Sequence, residues 1–164
     1  MKAAGGYTMV ELVTVMVLLG ILSAIAIPRM LSDPGMAGPG FRADIVTALR
    51  YAQKSAVGHR RVVWATVNNN SVTLLIAANN PAATNAAGNC IGVPLATPDG
   101  AAFTSTKAAT NFTAAAPLVL FFQPNGEITT DCAGVNLASN SITVSAAAQN
   151  EAAITIIGVS GRVD

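Results

Sequence analysis

The stretch that decides the reading is Gly6-Tyr7-Thr8-Met9-Val10-Glu11-Leu12, continued by the apolar run Leu12–Ile27, LVTVMVLLGILSAIAI. Of those 16 residues 13 are hydrophobic and none is charged. Counted from Tyr7, the segment gives about 31 Å of helix at roughly 1.5 Å per residue, a match to a hydrocarbon core of about 30 Å. Thr14 and Ser23 are compatible with such a helix, because their hydroxyls can bond back to the preceding turn. A buried core helix usually keeps a polar stripe, and this run is apolar all round, so a membrane-spanning helix over 7–28 is expected. A secretory signal peptide would place its small-residue cleavage site after the apolar run. Ser23-Ala24-Ile25-Ala26 offers a match of that kind. The stronger small-residue site, Ala3-Ala4-Gly5-Gly6, comes before the run, and Glu11 stands where a signal peptide carries basic charge.

These residues resemble the class III signal of type IV pilins and pseudopilins: Gly6, then Tyr7-Thr8-Met9-Val10-Glu11-Leu12, the apolar run and Pro28. The resemblance implies that a membrane-embedded prepilin peptidase removes a leader of residues 1–6 at Gly6–Tyr7 and methylates the new amine of Tyr7. The family more often has Phe at that position. A carboxylate in an apolar helix is costly, about 2.5–3.5 kcal/mol at a bilayer centre, and calls for a partner. Glu11 lies near the positive end of the helix dipole. By resemblance, its partner is the N-terminal amine of a neighbouring subunit during filament assembly.

Beyond Pro28, where a helix is expected to kink or break, Pro34, Gly35, Gly38, Pro39 and Gly40 form a breaker cluster. Phe41, Ile45, Leu49, Ala52 and Ala56 recur at helical spacing, with Arg42, Arg50 and Lys54 off the stripe. They predict an amphipathic helix over 41–57 that stops at Gly58. Val62–Val67 and Val72–Ile76 flank Asn68-Asn69-Asn70-Ser71 as a hairpin. Leu118–Phe122 leads through Pro124-Asn125-Gly126 into Glu127–Thr130. Ser141–Ser145 and Ala153–Ile157 form a last pair. The segment 78–117, rich in Ala, Asn, Thr, Gly and Pro without periodicity, reads as a long loop excursion. The order predicts an α+β fold with a helix on an antiparallel sheet. In the pilin-like version implied by the resemblance, one long N-terminal helix has a membrane-spanning half and an amphipathic half packed on the sheet, and 29–164 is a periplasmic globular domain.

Within that superfamily the body is similar to the minor pseudopilin H/FimT group. The likeness rests on Ala48-Leu49-Arg50-Tyr51-Ala52-Gln53-Lys54-Ser55-Ala56, Phe122-Gln123-Pro124-Asn125-Gly126 and Gly161-Arg162-Val163. It implies a minor pilin or pseudopilin of a type IV pilus or a type II secretion pseudopilus. Its partners would be other pilin subunits through helix bundling, the prepilin peptidase, an inner-membrane assembly platform and inner-membrane lipid. The implied location is the bacterial inner membrane, single-pass with the body in the periplasm, and then the filament. A major pilin is an alternative. A DNA receptor for uptake, a role of some FimT-like proteins, is another; the pattern associated with it is Gly-Arg-x-Arg, and here the chain reads Gly161-Arg162-Val163-Asp164 with an acid in place of the second Arg. Arg60 and Arg61, with Arg50, Lys54 and His59 nearby, and Arg162 are the residues placed to meet DNA phosphates or an acidic partner.

Cys90 and Cys132 are the only cysteines. In the periplasm a disulfide between them persists; it would contribute about 4 kcal/mol by loop closure and tether the excursion. One His and two Cys cannot supply a four-ligand zinc site. No Walker loop, G-x-S-x-G elbow or H-E-x-x-H helix is present, so neither catalysis nor a cofactor is expected. Composition agrees: charged residues are 10% of 164, against roughly 25% in average domains, and 31 alanines give much of the 52% hydrophobic content. Nine basic residues oppose eight acidic ones, and loss of Lys2 with the leader equalises them. Near-neutrality weighs against DNA capture by bulk charge.

Overall fold

The computed structural model describes residues 8–31, 34–106, 110–112, 118–146 and 149–164. Two compact units make up the chain, Met1–Asp33 and Pro34–Asp164.

The first unit holds helix α1, Met9–Leu31. Thr8 caps it: the Glu11 amide donates to Thr8 Oγ1 at 3.2 Å, so one otherwise orphaned donor of the first turn is satisfied, and the Leu12 amide to the Thr8 carbonyl at 3.2 Å opens the regular ladder. The Thr14 hydroxyl donates to the Val10 carbonyl, as a threonine in an apolar helix does. Pro28 does not end α1, which runs on to Leu31; a proline in the last turns removes one ladder bond and leaves those before it intact. The membrane expectation is corrected here. No helix among the described residues is long and apolar enough to cross a membrane. The single-pass inner-membrane placement is therefore overturned.

The second unit opens with helix α2, Pro34–His59. It begins earlier than the expected 41, and the Pro-Gly cluster that reads as a breaker lies within its first turns. Pro34 sits at the first helical position, where its missing N–H has no intrahelical partner to lose; Pro39 forfeits one bond. Phe41, Ile45, Leu49, Ala52 and Ala56 are fully buried, joined by Ala48. The helix also ends later than Gly58. Arg60 takes φ 54°, its amide donates to Val57 at 3.4 Å, and the Arg61 amide donates to Ala56 at 3.2 Å. That is a Schellman stop with arginine in the left-handed position usually held by glycine.

The strands are β1 (Val63–Val67), β2 (Ser71–Ala77), β3 (Gly92–Pro94), β4 (Thr104–Thr106), β5 (Thr110–Phe112), β6 (Leu118–Phe122), β7 (Ile128–Thr129), β8 (Ser139–Ile142), β9 (Val144–Ala146), β10 (Gln149–Asn150), β11 (Ile154–Ile157) and β12 (Arg162–Val163). The largest sheet has the order β3-β2-β1-β6-β7, with β4 also on β2. Two smaller ones, β10-β9-β5 and β12-β11-β8, share the C-terminal half. Every strand pairing is antiparallel, so the fold is α+β. Val63, Ala65 and Val67 of β1 alternate into the core with Leu74, Leu120, Phe122, Ile142, Ile154 and Ile156, and α2 covers them. Trp64, between them in sequence, points to the other face, where Val62, Ala77 and Phe121 surround it. Helices α1 and α2 are described on either side of residues 32–33, and the helix packed on the sheet is α2.

The segment 78–117 is not structureless. It contributes β3 and β4, both paired to β2, and β5, paired to β9. Three-residue strands are too short to show an alternation, and the open edge of β2 dictates the placement of β3 and β4.

Candidate functional site

α1 carries its apolar side chains in the open. Met9 is 84% exposed and even Val15, the least exposed of the large residues described between Met9 and Leu22, is 50% exposed. Fully burying such a side chain is worth about 1.5–3 kcal/mol, so this surface is built to be covered. One side presents Met9, Val10, Val13 and Val17, another Leu12, Val15, Met16 and Leu19 beside Glu11. Glu11 is exposed in the first turn. Its position three residues after Thr8 is the spacing of a capping box, a signal legible in the sequence that the assembly reading passed over. Gly6 and Tyr7 lie outside the described residues.

The basic residues do not form one patch. Arg50 donates Nε and Nη2 to the Val163 carbonyl at 3.2 and 3.0 Å, and Arg42 donates to the Ala152 carbonyl at 2.7 Å; both tie α2 to the C-terminal strands. Arg162 pairs with Asp164 at 2.5 Å, so the acid that replaces the second arginine of the DNA-receptor pattern also occupies the first. Arg60 and Arg61 remain exposed on the helix stop, at the end of α2 where the dipole favours cations.

Three separated segments meet at Gly161. Gln53 of α2 donates Nε2 to the Gly126 carbonyl at 3.5 Å, and a Cβ on Gly161 (φ 65°) would collide with that same carbonyl and with Gln53 Nε2. Gln53, Gly126 and Gly161 belong to the three short pieces on which the likeness to the minor pseudopilin H/FimT group rests.

Cys90 and Cys132 are joined in a disulfide, with Cα atoms 5.7 Å apart. It fastens the segment before β3 to the loop after β7. Beside it opens a cleft of about 490 Å³ lined by Val62, Asn80, Pro81, Gln123, Pro124 and Ala133, among others. Gln123 is buried, and its Nε2 donates to Thr129 Oγ1 at 2.9 Å. Asp131 organises the adjoining loop. Partial burial pushes its carboxyl up, but the amides of Val135 and Asn136, which reach its two oxygens at 3.0 and 2.6 Å, outweigh this and hold it below the usual carboxylate range. Asp99 is also lowered, first by the Thr97 hydroxyl that donates to it. No group of three or more His, Cys, Asp or Glu positioned for a metal occurs among the described residues.

No protein-family model, curated protein or solved structure matches this chain.

Proposed function

We propose that the chain is a structural filament subunit, a minor pilin or pseudopilin of a type IV pilus or type II secretion pseudopilus, matured by prepilin peptidase at Gly6–Tyr7. The observation that carries this reading is α1, whose large apolar side chains between Met9 and Leu22 are all at least half exposed. A helix with no polar side is satisfied only by being surrounded, and copies of the same helix in a bundle surround it. Glu11 then faces the amine of Tyr7 on a neighbouring copy, an opposite charge brought to a carboxylate that an apolar bundle would otherwise strand. The body, closed by α2 and stapled at Cys90–Cys132, supplies the outer surface and no chemistry of its own. Other pilin subunits and an assembly platform are its partners. The pairing of Arg162 with Asp164 speaks against DNA capture.

The test is expression beside the peptidase and the assembly machine, with mass analysis of sheared filaments. Mature chains should begin at Tyr7 with a methylated amine. Glu11→Ala should be cleaved normally and be absent from filaments. An uncut Gly6–Tyr7 bond, or normal incorporation of Glu11→Ala, overturns the reading.

A further inference from the structure

The chain holds a single Asn-Gly pair, Asn125-Gly126, and the fold sets it in the loop between β6 and β7. The Gly126 amide donates to the Gln123 carbonyl at 2.9 Å and the Gln123 amide to the Glu127 carbonyl at 2.8 Å, which makes Pro124-Asn125-Gly126 a three-residue hairpin loop. Gly126 takes φ 93°, and a Cβ there would meet nothing within 4 Å. Conformation, not space, therefore demands glycine at this position. That demand creates a chemical hazard, because asparagine is a labile residue and a following glycine leaves its main-chain nitrogen unshielded.

The hazard is closure of a succinimide. The Gly126 nitrogen attacks Asn125 Cγ, the new C–N bond replaces Cγ–Nδ2, and Nδ2 leaves as ammonia with the proton of the Gly126 amide. Water then opens the ring at either carbonyl to give aspartate or isoaspartate, and no oxidant or reductant is consumed. Asn125 is exposed, so water reaches it. Attack must come onto the face of the carboxamide, with the reacting atoms about 3–3.5 Å apart. In the folded loop one residue holds both ends of that carboxamide: Nδ2 donates to Glu127 Oε2 at 2.6 Å, and Oδ1 accepts the Glu127 amide at 3.1 Å. The bond from the leaving nitrogen goes to a carboxylate and is of the stronger, charge-assisted kind. The attacking amide has its own proton committed to Gln123.

We propose that Asn125–Gly126 is a deamidation site that Glu127 holds shut, and that modification there breaks the contact of Gln53 with the Gly126 and Gly161 turns. Closure requires the loop to open first, so its rate follows the population of the opened loop. The Gly126 carbonyl accepts Gln53 Nε2 at 3.5 Å and lies so close to Gly161 that a Cβ on Gly161 would collide with it. An isoaspartyl link routes the main chain through the side-chain carbons and lengthens it immediately before this carbonyl, where there is no slack. Either product also sets a second carboxylate beside that of Glu127, a like charge in place of a donor. The proposal is independent of the filament reading, because every residue it uses lies in the Pro34–Asp164 unit.

The experiment follows Asn125 in the full-length protein at neutral pH, with conversion read by peptide mass analysis and isoaspartate by enzymatic methylation. The folded chain should convert about tenfold more slowly, or slower still, than the same chain in guanidinium chloride, since conversion waits on opening. Glu127→Ala, folded as judged by its melt, should raise the folded-state rate about tenfold, the effect of losing one charge-assisted bond. Glu127→Gln keeps an oxygen acceptor on the same stem and should recover most of the protection. Isoaspartyl chains formed in denaturant and refolded should melt below unmodified chains carried through the same steps. Equal rates in folded and unfolded chains, a folded Glu127→Ala as slow as wild type, or an isoaspartyl form that melts with the unmodified one overturns the proposal.

Discussion

Arg50 and Val163 are 113 positions apart in the chain, and the guanidinium of one holds the main-chain oxygen of the other with two donors, Nε at 3.2 Å and Nη2 at 3.0 Å. The contact closes the body, because β12 has only β11 beside it in its sheet and gains from α2 a second attachment. Hydrogen bonds from a charged donor are worth about 1.5–3 kcal/mol, and partial exposure takes this one to the lower end. Arg50→Met, which keeps the aliphatic stem, should lower unfolding stability by about 1–2 kcal/mol, read as a lower urea midpoint at unchanged slope. A midpoint equal to wild type would mean that β12 is held by β11 alone.

The stop of α2 predicts two stabilising substitutions. Gly58 is inside the helix, and a Cβ there would meet nothing within 4 Å. Gly58→Ala should stabilise by about 0.5–1 kcal/mol through helix propensity and a less flexible unfolded chain. Arg60 holds a left-handed conformation that costs a side-chain-bearing residue roughly 1 kcal/mol more than glycine. Arg60→Gly should recover about that amount. Thermal melts check both, and the two gains should combine to less than their sum, because the sites share one turn. A loss of stability on Arg60→Gly would mean that the arginine side chain makes a contact worth more than the strain it relieves.

The disulfide reports on itself through the single tryptophan. Cys90 and Ala82 pack on the small cluster that holds Trp64 at 8% exposure, and the staple to Cys132 keeps that segment in place. Cys90→Ser with Cys132→Ser should cost about 3–4 kcal/mol on the loop-closure argument. Trp64 emission should shift to the red under native conditions. An unshifted emission would show that the back face of β1 stays covered without the bridge.

Stability should fall in acid partly through Asp131. Its carboxyl titrates below its ordinary value in the folded chain because the Val135 and Asn136 amides bond to the ionised form. A depressed folded-state value means that the stabilisation is complete above the unfolded carboxylate range and is lost as pH drops through the folded one. Asp131→Asn should therefore show a smaller loss of urea midpoint between pH 6 and pH 3 than wild type. Asp99, lowered by the Thr97 hydroxyl, acts in the same direction from the surface. An unchanged acid slope in Asp131→Asn would place the acid sensitivity elsewhere.

The residues that announced themselves in the sequence are those whose environment is local. The Phe41–Ala56 stripe and the hairpin around Asn68–Ser71 follow from period 3.6, period 2 and turn chemistry, and both are present. Of the expected pair Ser141–Ser145 with Ala153–Ile157, Ser141 and Ile142 do pair with Thr155 and Ile154, while Val144 and Ser145 belong to β9 in another sheet. The apolar density of Met9–Leu22 was equally plain. Its reading as a membrane span was not sustained, since no helix among the described residues is long and apolar enough to cross a membrane. The helical path through Pro34–Gly40 and the strands within 78–117 were illegible for a different reason. A three-residue strand has no periodicity, and it exists because β2 leaves an edge to be paired. Nothing local marks Gln123 as the wall of a cleft, or distinguishes Arg50, which braces β12, from Arg60, which ends a helix. By itself the sequence determined which surfaces must be buried. Which distant chain segment buries them, and which polar atoms are left facing outward, was decided only in the tertiary structure, where hydrogen bonds between remote residues form after the backbone has brought them together.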